Sequence, residues 1–196
     1  IRNALLFALL TVPILIIGNG PAGIALSALL SGWRPFYNKR VPHPDPHLHA
    51  QLTRMASSSS DDNSNILSAR KTPAAPEGTP FSVLYDCLAR PAASSPVPSS
   101  SCLCWRRRER DAISHIVLGD QQIGGSWTEY DDHMLTVSAV EWMDLPGFSL
   151  AADFVGDAQL AQQRPRAGLY TYLNAYVDAM GLRHNFKLFT RVTHIE

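Results

Sequence analysis

Residues 12–30 read VPILIIGNGPAGIALSALL, and this sequence is the clearest indication of the fold class of the chain. The run Val12–Ile17 is apolar and rich in β-branched residues, as expected of a parallel strand that is buried on both faces. Glycines in the G-x-G-x-x-G spacing follow it, and Ala22–Leu30 has the small and apolar residues of a helix that packs closely on a sheet. A strand, a glycine turn and a helix in this order predict the first unit of a dinucleotide-binding α/β domain.

Each glycine of this turn has a different predicted role. Gly18 permits the tight turn, Gly20 lets the backbone approach a pyrophosphate, and Gly23 lets the helix lie against the strand. The first N–H groups of the helix and its dipole favour an anion at the same place. The sequence therefore predicts a cofactor contact along one continuous segment, which comprises Gly18, Asn19, Gly20, Pro21, Ala22 and Gly23.

A second predicted strand leads to a second glycine turn. Ile113–Leu118 is apolar enough to be a buried strand, and the turn GGSW occupies residues 124–127. A dinucleotide-binding unit usually has an acidic residue at the end of its second strand, about 20 residues after the glycines, where it binds a ribose. No acidic residue follows a strand at that spacing here. Asp120, just after the second predicted strand, is therefore the candidate for the ribose contact.

Later segments continue the alternation of helix and strand. Apolar residues recur at helical spacing over about Gly168–Met180, with Gly181 as the predicted C-cap. Leu188–Ile195 alternates apolar and polar residues, which predicts a third strand. We therefore expect a Rossmann-type parallel sheet of the α/β class, of the kind that binds FAD or NAD(P), and we expect it to be incomplete.

A low-complexity stretch separates the two predicted parts of the domain. Serine and proline dominate at about residues 57–101, a composition that cannot bury enough apolar surface to order itself. Phe81–Leu88 is the one helix-like island within it. The predicted division is residues 1–42 for the first part, 43–110 for a largely disordered insertion, and 111–196 for the continuation.

Charge, apolar content and cysteine number limit the classes of function that the sequence supports. The 17 basic and 17 acidic side chains balance, so we expect no general attraction to nucleic acid. Arg106–Arg110 is expected to be a solvated loop end, with a nuclear signal as the alternative. Ala4–Leu10 is too short for a membrane span, which needs about 20 apolar residues. The 3 cysteines do not suit a disulfide framework, so free thiols and an intracellular protein, cytoplasmic or nuclear, are expected.

Other arrangements of reactive residues do not support catalysis or metal binding. His43, His47 and His49 lie among prolines without acidic or cysteine partners in register, which favours a loop over a metal site. The sequence has no recognisable Ser-His-Asp arrangement, Cys-x-x-Cys pair or carboxylate dyad, so no catalytic residue is assigned. The expected site residues are therefore cofactor contacts.

Five stretches together resemble the oxidative stress-induced growth inhibitor family, a branch of the proteins similar to flavin-containing monooxygenases. They occur in the order Gly18–Tyr37, His43–Pro46, Gly124–Trp127, Glu141–Gly147 and Tyr172–Ile195. The resemblance implies a fold that uses FAD and NADPH. In flavin-containing monooxygenases the Gly-Gly-x-Trp turn lies along the FAD, which implies cofactor contacts from Gly124, Gly125, Ser126 and Trp127. The acidic residue that ends the second strand in those enzymes corresponds to Leu118 here, and Asp120 is expected to substitute for it.

Two functions remain open at this point. The resemblance implies the FAD-binding part of an NADPH-dependent monooxygenase-like protein linked to growth regulation and oxidative stress. The alternative is a non-enzymatic growth regulator that retains the flavoprotein fold and acts through protein partners, which Leu118 and the long insertion favour. The chain contains one G-x-G-x-x-G pattern, whereas hydride transfer from NADPH to a flavin requires a second nucleotide-binding unit. We therefore expect residues 1–196 to be part of a longer protein and inactive by themselves.

Overall fold

The structure of the chain is a computed structural model that describes residues 12–57, 81–91, 100–138, 142–150 and 166–195. The chain divides into two compact units, one of residues 1–32 with 109–196 and the other of residues 33–108. The first boundary between the units lies after residue 32, ten residues before the predicted boundary at 42. The second lies after residue 108, two residues before the predicted boundary at 110. The apolar run at 4–10 and most of the low-complexity stretch lie outside the described residues.

Nine regular elements form the described part of the two units. In chain order they are β1 (Ile14–Ile17), α1 (Pro21–Leu30), β2 (Trp33–Tyr37), α2 (Pro46–Ser57), α3 (Phe81–Ala89), β3 (Leu103–Arg107), β4 (His115–Leu118), α4 (Arg166–Ala179) and β5 (Phe186–Lys187). Short 3-10 turns occur at Glu109–Asp111, Gly125–Thr128 and Arg183–Asn185.

The first unit is built on a parallel sheet in which β4 lies between β1 and β5. Ile14 of β1 pairs with His115 of β4, and Val117 of β4 pairs with Phe186 of β5. Helix α1 packs against both β1 and β4. A parallel sheet with intervening helices confirms the predicted α/β class. The predicted elements β1, α1, β4 and α4 are also confirmed, and each of their ends lies within two residues of the predicted position.

Helix α1 packs closely because its inward face is made of small and apolar side chains. Ile24, Ser27 and Ala28 are buried. The Ser27 hydroxyl donates to Nε2 of the buried His115 at 2.8 Å, and Nδ1 of His115 donates to the Ile113 carbonyl at 2.8 Å. Both ring nitrogens of a neutral histidine are thus satisfied, which makes its burial in β4 tolerable.

The prediction that β1 is buried on both faces is wrong. Ile16 is 7% exposed, whereas the neighbouring Leu15 and Ile17 are 51% and 54% exposed. Side chains alternate across a strand, and α1 covers the face to which Ile16 belongs. Within the described residues, the opposite face of β1 is open to solvent.

The third predicted strand, Leu188–Ile195, is also wrong in its position. The chain pairs with β4 only over Phe186–Lys187. Phe189 then adopts a φ of 52°, a left-handed conformation that an extended strand cannot contain. The Thr190 N–H donates to the Gly119 carbonyl at 2.8 Å, so the chain bends around the end of β4 and does not continue beside it.

The second unit has its own small core. Strands β2 and β3 pair antiparallel, with Phe36 opposite Cys104. An apolar cluster of buried residues forms this core, and it consists of Tyr37, Leu52, Leu84, Leu88, Cys102 and Leu103. The helix-like island predicted at 81–88 is confirmed as α3, but α2, β2 and β3 were not expected. Helices α2 and α3 and strand β3 therefore lie within residues 43–110.

Two local predictions in the second unit are corrected. His47 and His49 belong to α2 and not to a loop, because the Asp45 carboxylate accepts hydrogen bonds from the N–H groups of His47 at 2.8 Å and Leu48 at 3.3 Å and caps the helix. These two bonds lower the pKa of Asp45. The arginine cluster begins within β3, where the guanidinium carbons of Arg106 and Arg108 lie 5.1 and 4.8 Å from the centre of the Phe36 ring.

No helix in the described part of the chain is long and apolar enough to cross a membrane.

Replacing Gly23 by alanine should destabilise the first unit. A Cβ atom at this position would lie 2.1 Å from the Gly18 carbonyl oxygen, so β1 and α1 would have to move apart. We expect a loss of about 1–3 kcal/mol in the free energy of unfolding, which is the usual cost of overpacking. Urea denaturation followed by circular dichroism measures it.

Gly168→Ala is the matched control because a Cβ atom on Gly168, in α4, would meet no atom within 4 Å. Alanine is favoured over glycine within a helix by about 1 kcal/mol, so this variant should be as stable as the parent or more stable. Equal stability of the Gly23 and Gly168 variants would contradict the close packing of α1 on β1.

Candidate cofactor site

The two glycine turns predicted from the sequence lie against each other in the first unit. The turn at 18–23 follows β1, and the turn at 124–127 follows β4 after a short loop. The Gly124 N–H donates to the Asn19 carbonyl at 3.0 Å. A Cβ atom on Gly125 would lie 3.0 Å from the Gly20 Cα atom, so the two backbones are in direct contact. The structure therefore brings together residues that are about a hundred positions apart.

Asn19 joins the two turns through its side chain. The residue is 2% exposed, and its amide nitrogen donates to the carbonyl oxygens of Gln121 at 3.0 Å and Gln122 at 2.9 Å. A Cβ atom on Gly119 would lie 2.1 Å from the Asn19 amide, so only glycine at 119 leaves room for it. The Asn19 side chain is thus used between the two loops, and its backbone carbonyl is used by the Gly124 N–H.

Most glycines at the site are required by the backbone or by packing. Gly18, Gly124 and Gly125 have φ values of 107°, 119° and 57°, a region that other residues rarely adopt. Gly23 is required by the contact described above. Gly20 differs, because its φ is −78° and a Cβ atom there would find its nearest neighbour at 3.8 Å. Neither conformation nor packing requires a glycine at position 20.

Gly20 also stands at the N-terminus of α1. It is the N-cap residue, Pro21 follows as the first helical residue, and no side chain caps the helix. The first turn contains no acidic residue. The first N–H groups of a helix have no partners within the helix, and the dipole makes this end positive. The backbone at Gly20–Gly23 can therefore receive an anion close to the main chain.

Asp120 lies at the edge of this site. Its side chain is about half exposed, and its carboxylate lies 3.6 Å from the Arg191 guanidinium. It lines an open groove of about 400 Å³ together with residues from the following loop and from α4. The other lining residues are Gln121, Gln122, Thr128, Glu129, Arg166, Tyr170 and Phe189. The groove is polar, and Asp120 can offer it a carboxylate acceptor.

The remaining predicted residues occupy the short 3-10 turn. Ser126 is exposed, and Trp127 is half-buried with its ring edge-on to Tyr130 at 5.4 Å and 87°. The Trp127 N–H donates to the Gly124 carbonyl at 3.2 Å, which holds the turn closed. Trp127 therefore has a packing contact of its own, and Ser126 offers its hydroxyl to solvent.

Sequence reasoning missed the part that α4 has in this site. The Tyr170 hydroxyl donates to Oε1 of Gln122 at 2.6 Å, and Arg166 bonds to the Thr128 carbonyl and to Asp132. These contacts attach α4 to the loop that carries the second glycine turn. Helical spacing predicts α4, but it does not predict which of its polar residues contact the loop that carries the second glycine turn, some forty residues earlier in the chain.

Other tyrosines of α4 act in packing. Tyr172 and Tyr176 are fully buried, and their hydroxyls donate to the carbonyls of Phe148 and Pro146, both at 2.6 Å. The Phe148 ring stacks on Tyr172 with the centres 5.9 Å apart. These bonds hold the segment at 142–150 against the helix. Among the described residues, no three histidine, cysteine, aspartate or glutamate side chains form a group that could hold a metal ion.

The chain is similar to three proteins whose names describe inhibition of growth. It is 42% identical over 183 residues to the oxidative stress induced growth inhibitor homolog of Caenorhabditis elegans, covering 93% of this chain and 40% of that protein. It is 34% identical over 193 residues to human oxidative stress-induced growth inhibitor 2, covering 94% and 37%, and 35% identical over 192 residues to human oxidative stress-induced growth inhibitor 1, covering 94% and 39%.

These homologues support the family resemblance noted from the sequence. The chain spans about two fifths of the length of the curated relatives it matches. No family model matches the chain, and no solved structure matches it.

Asn19→Ala should loosen the site, because it removes both bonds to the loop and leaves two carbonyls without their donor. We expect a loss of about 1–3 kcal/mol in the free energy of unfolding, which is the cost of a buried group left unsatisfied. Thermal and urea denaturation of the purified variant measure this loss.

The matched control is Asn174→Ala. The Asn174 amide bonds to the Tyr170 carbonyl at 3.1 Å within α4, and alanine is favoured in a helix. The stability of this variant should change little. A loss that is equal in both variants would contradict the joining role of Asn19.

Proposed function

We propose that this chain is the FAD-binding part of a member of the oxidative stress-induced growth inhibitor family. The pyrophosphate of the flavin cofactor rests on the N-terminus of α1, close to the Gly20 backbone. The observation that carries the proposal is Gly20 itself: a glycine that neither φ nor packing requires, at an uncapped helix N-terminus. A cofactor that approaches the main chain is a reason for glycine at this position.

The order of the strands supports the proposal. A doubly wound nucleotide-binding sheet begins with three parallel strands of which the second lies in the centre, as β4 does between β1 and β5. Ligands of such sheets bind beyond the carboxyl ends of the strands. Both glycine turns follow the carboxyl ends of β1 and β4, and their backbones touch.

Each part of the site has a role in binding. The N–H groups of Gly20, Ala22 and Gly23 bind the pyrophosphate, while Gly18 and Gly23 keep the turn and α1 in place. Asp120 accepts a hydrogen bond from a ribose hydroxyl in the groove beside the second turn. The backbone of Gly124–Trp127 lies along the cofactor and limits its contact with water.

FAD, when bound, supplies the redox chemistry, and the protein supplies binding, orientation and exclusion of water. We propose that the complete protein is an NADPH-dependent monooxygenase with a role in growth regulation under oxidative stress. The names of the three relatives support the role in oxidative stress and growth. The NADPH site belongs to parts of the protein outside residues 1–196, since this chain has one glycine fingerprint.

The second candidate is a growth regulator that retains the fold without enzymatic activity and acts through protein partners. Leu118 favours it, because an apolar side chain stands where related enzymes have the ribose-binding acid, and Asp120 is already within 3.6 Å of Arg191. NADPH oxidation in air by the protein in its full natural length, loaded with FAD, distinguishes the two. Steady consumption of NADPH supports the enzyme, and bound FAD without consumption supports the regulator.

Gly20→Ala should weaken FAD binding without unfolding the protein. The new methyl group has space in the fold but occupies the place of the pyrophosphate. We expect at least a tenfold rise in the dissociation constant for FAD, about 1.4 kcal/mol. Titration of FAD fluorescence with the full-length protein measures it.

Gly168→Ala, in α4 where a Cβ atom has open space, provides the matched control and should bind FAD as the parent does. Circular dichroism of both variants checks that they are folded. Unchanged FAD affinity in a folded Gly20→Ala protein would overturn the assignment of the pyrophosphate to this turn.

A further inference from the structure

The second unit contains a pair of thiols that the proposed cofactor site does not use. Cys87 lies in α3 and is partly exposed, whereas Cys102 precedes β3 and is fully buried. The Cys102 N–H donates to the carbonyl of Leu88, the residue next to Cys87, at 2.8 Å. This backbone bond places the residue before β3 against the end of α3, next to the residue that carries the Cys87 thiol. All three cysteines of the chain carry free thiols.

Both thiols are held in the protonated form by their surroundings. Burial raises the pKa of Cys102 to about 11, and negative charge at Cys87 contributes to the shift. Burial also raises the pKa of Cys87, and the charge of Asp45 adds to it. Both residues are therefore mainly thiols at neutral pH.

The Nε2–H group of His43 faces the Cys87 sulfur. Nδ1 of the buried His43 accepts a hydrogen bond from the Asp45 N–H at 3.0 Å, so the ring proton of neutral His43 is on Nε2. That nitrogen lies 3.4 Å from the Cys87 Sγ. The His43 N–H donates to the Tyr37 hydroxyl at 3.1 Å, which fixes the start of this loop on the core. An N–H donor at this place stabilises a thiolate when one forms.

We propose that Cys87 is a site of oxidation by peroxides and that Cys102 resolves the oxidised form into an intramolecular disulfide. The partly exposed sulfur of Cys87 can meet a small oxidant, and the fully buried sulfur of Cys102 cannot. His43 is a positioning residue that holds its Nε2 proton against the first sulfur. This inference is independent of FAD binding, because it concerns residues of the second unit only.

The chemistry balances with hydrogen peroxide as the oxidant. The Cys87 sulfur, as thiolate, attacks one peroxide oxygen and the O–O bond breaks. The leaving hydroxide takes up the proton that the thiol has lost, which gives a sulfenic acid and one molecule of water. The Cys102 sulfur then attacks the Cys87 sulfur and forms the S–S bond, and the sulfenic oxygen leaves as a second water with the Cys102 proton. Two thiols are oxidised while one peroxide is reduced. Because both thiols are mainly protonated, the oxidation is slow. The disulfide that forms is therefore a better test of this reaction than its rate.

The test treats the full-length protein with hydrogen peroxide, blocks remaining thiols with iodoacetamide, and maps the peptides by mass spectrometry without reduction. We expect a linked pair of peptides that contain Cys87 and Cys102 and are lighter by two hydrogen atoms, which dithiothreitol separates. Cys104 should remain open to alkylation. Cys104→Ser is the matched control, since it removes a thiol two residues away in β3 and should leave the linked peptide unchanged.

Two variants examine the order of the steps. In Cys102→Ser, the Cys87 sulfenic acid should persist and react with dimedone. In Cys87→Ser, Cys102 should stay reduced because the oxidant cannot reach it. Circular dichroism before oxidation checks that each variant is folded. A disulfide that includes Cys104, oxidation of Cys102 in the Cys87→Ser protein, or oxidation of Cys87 to the sulfinic acid in the parent without any linked peptide would each overturn the proposal.

Discussion

The two hydrogen bonds from the Asn19 amide to the loop after β4 are the interaction on which the site depends. They connect the turn after β1 with the turn after β4 through the buried Asn19 side chain, and the loss of both bonds would cost about 1–3 kcal/mol. Gly119 leaves the space that Asn19 fills, and Gly125 lies on the Gly20 backbone. The fold thereby presents two backbone turns, far apart in the chain, as one surface at the end of α1.

The contact between the two turns also distinguishes glycines that the fold requires from the glycine that we assign to ligand binding. Gly18, Gly23, Gly124 and Gly125 are explained by φ or by contact distance. Gly20 is explained by neither, and it stands at the positive end of a helix. Among the glycines of the two turns, Gly20 is thus the one with no structural requirement, which favours an anion against its backbone, as the proposed pyrophosphate of FAD requires.

Much of the first unit could be predicted because its signals are local. An apolar run, a glycine turn and a helix of small residues specify β1 and α1, and residues 166–179 show the helical period of α4. The third strand was misplaced because alternation at 188–195 looks like a strand, whereas Phe189 has a left-handed φ that no residue pattern shows. Helix α2 was missed because histidines among prolines were interpreted as a loop, although Asp45-Pro46 is an N-cap followed by a favoured first residue. The joining role of Asn19 depends on a loop about a hundred residues away, so sequence could not show it.

Amide hydrogen exchange of the full-length protein, with and without FAD, tests the central claim most directly. Because the two turns form one surface, we expect FAD to slow exchange at residues 18–23 and at 124–127 together, at the same FAD concentration. Protection of one turn without the other, or of neither while FAD is bound, would contradict the claim that Asn19 joins them into a single cofactor site.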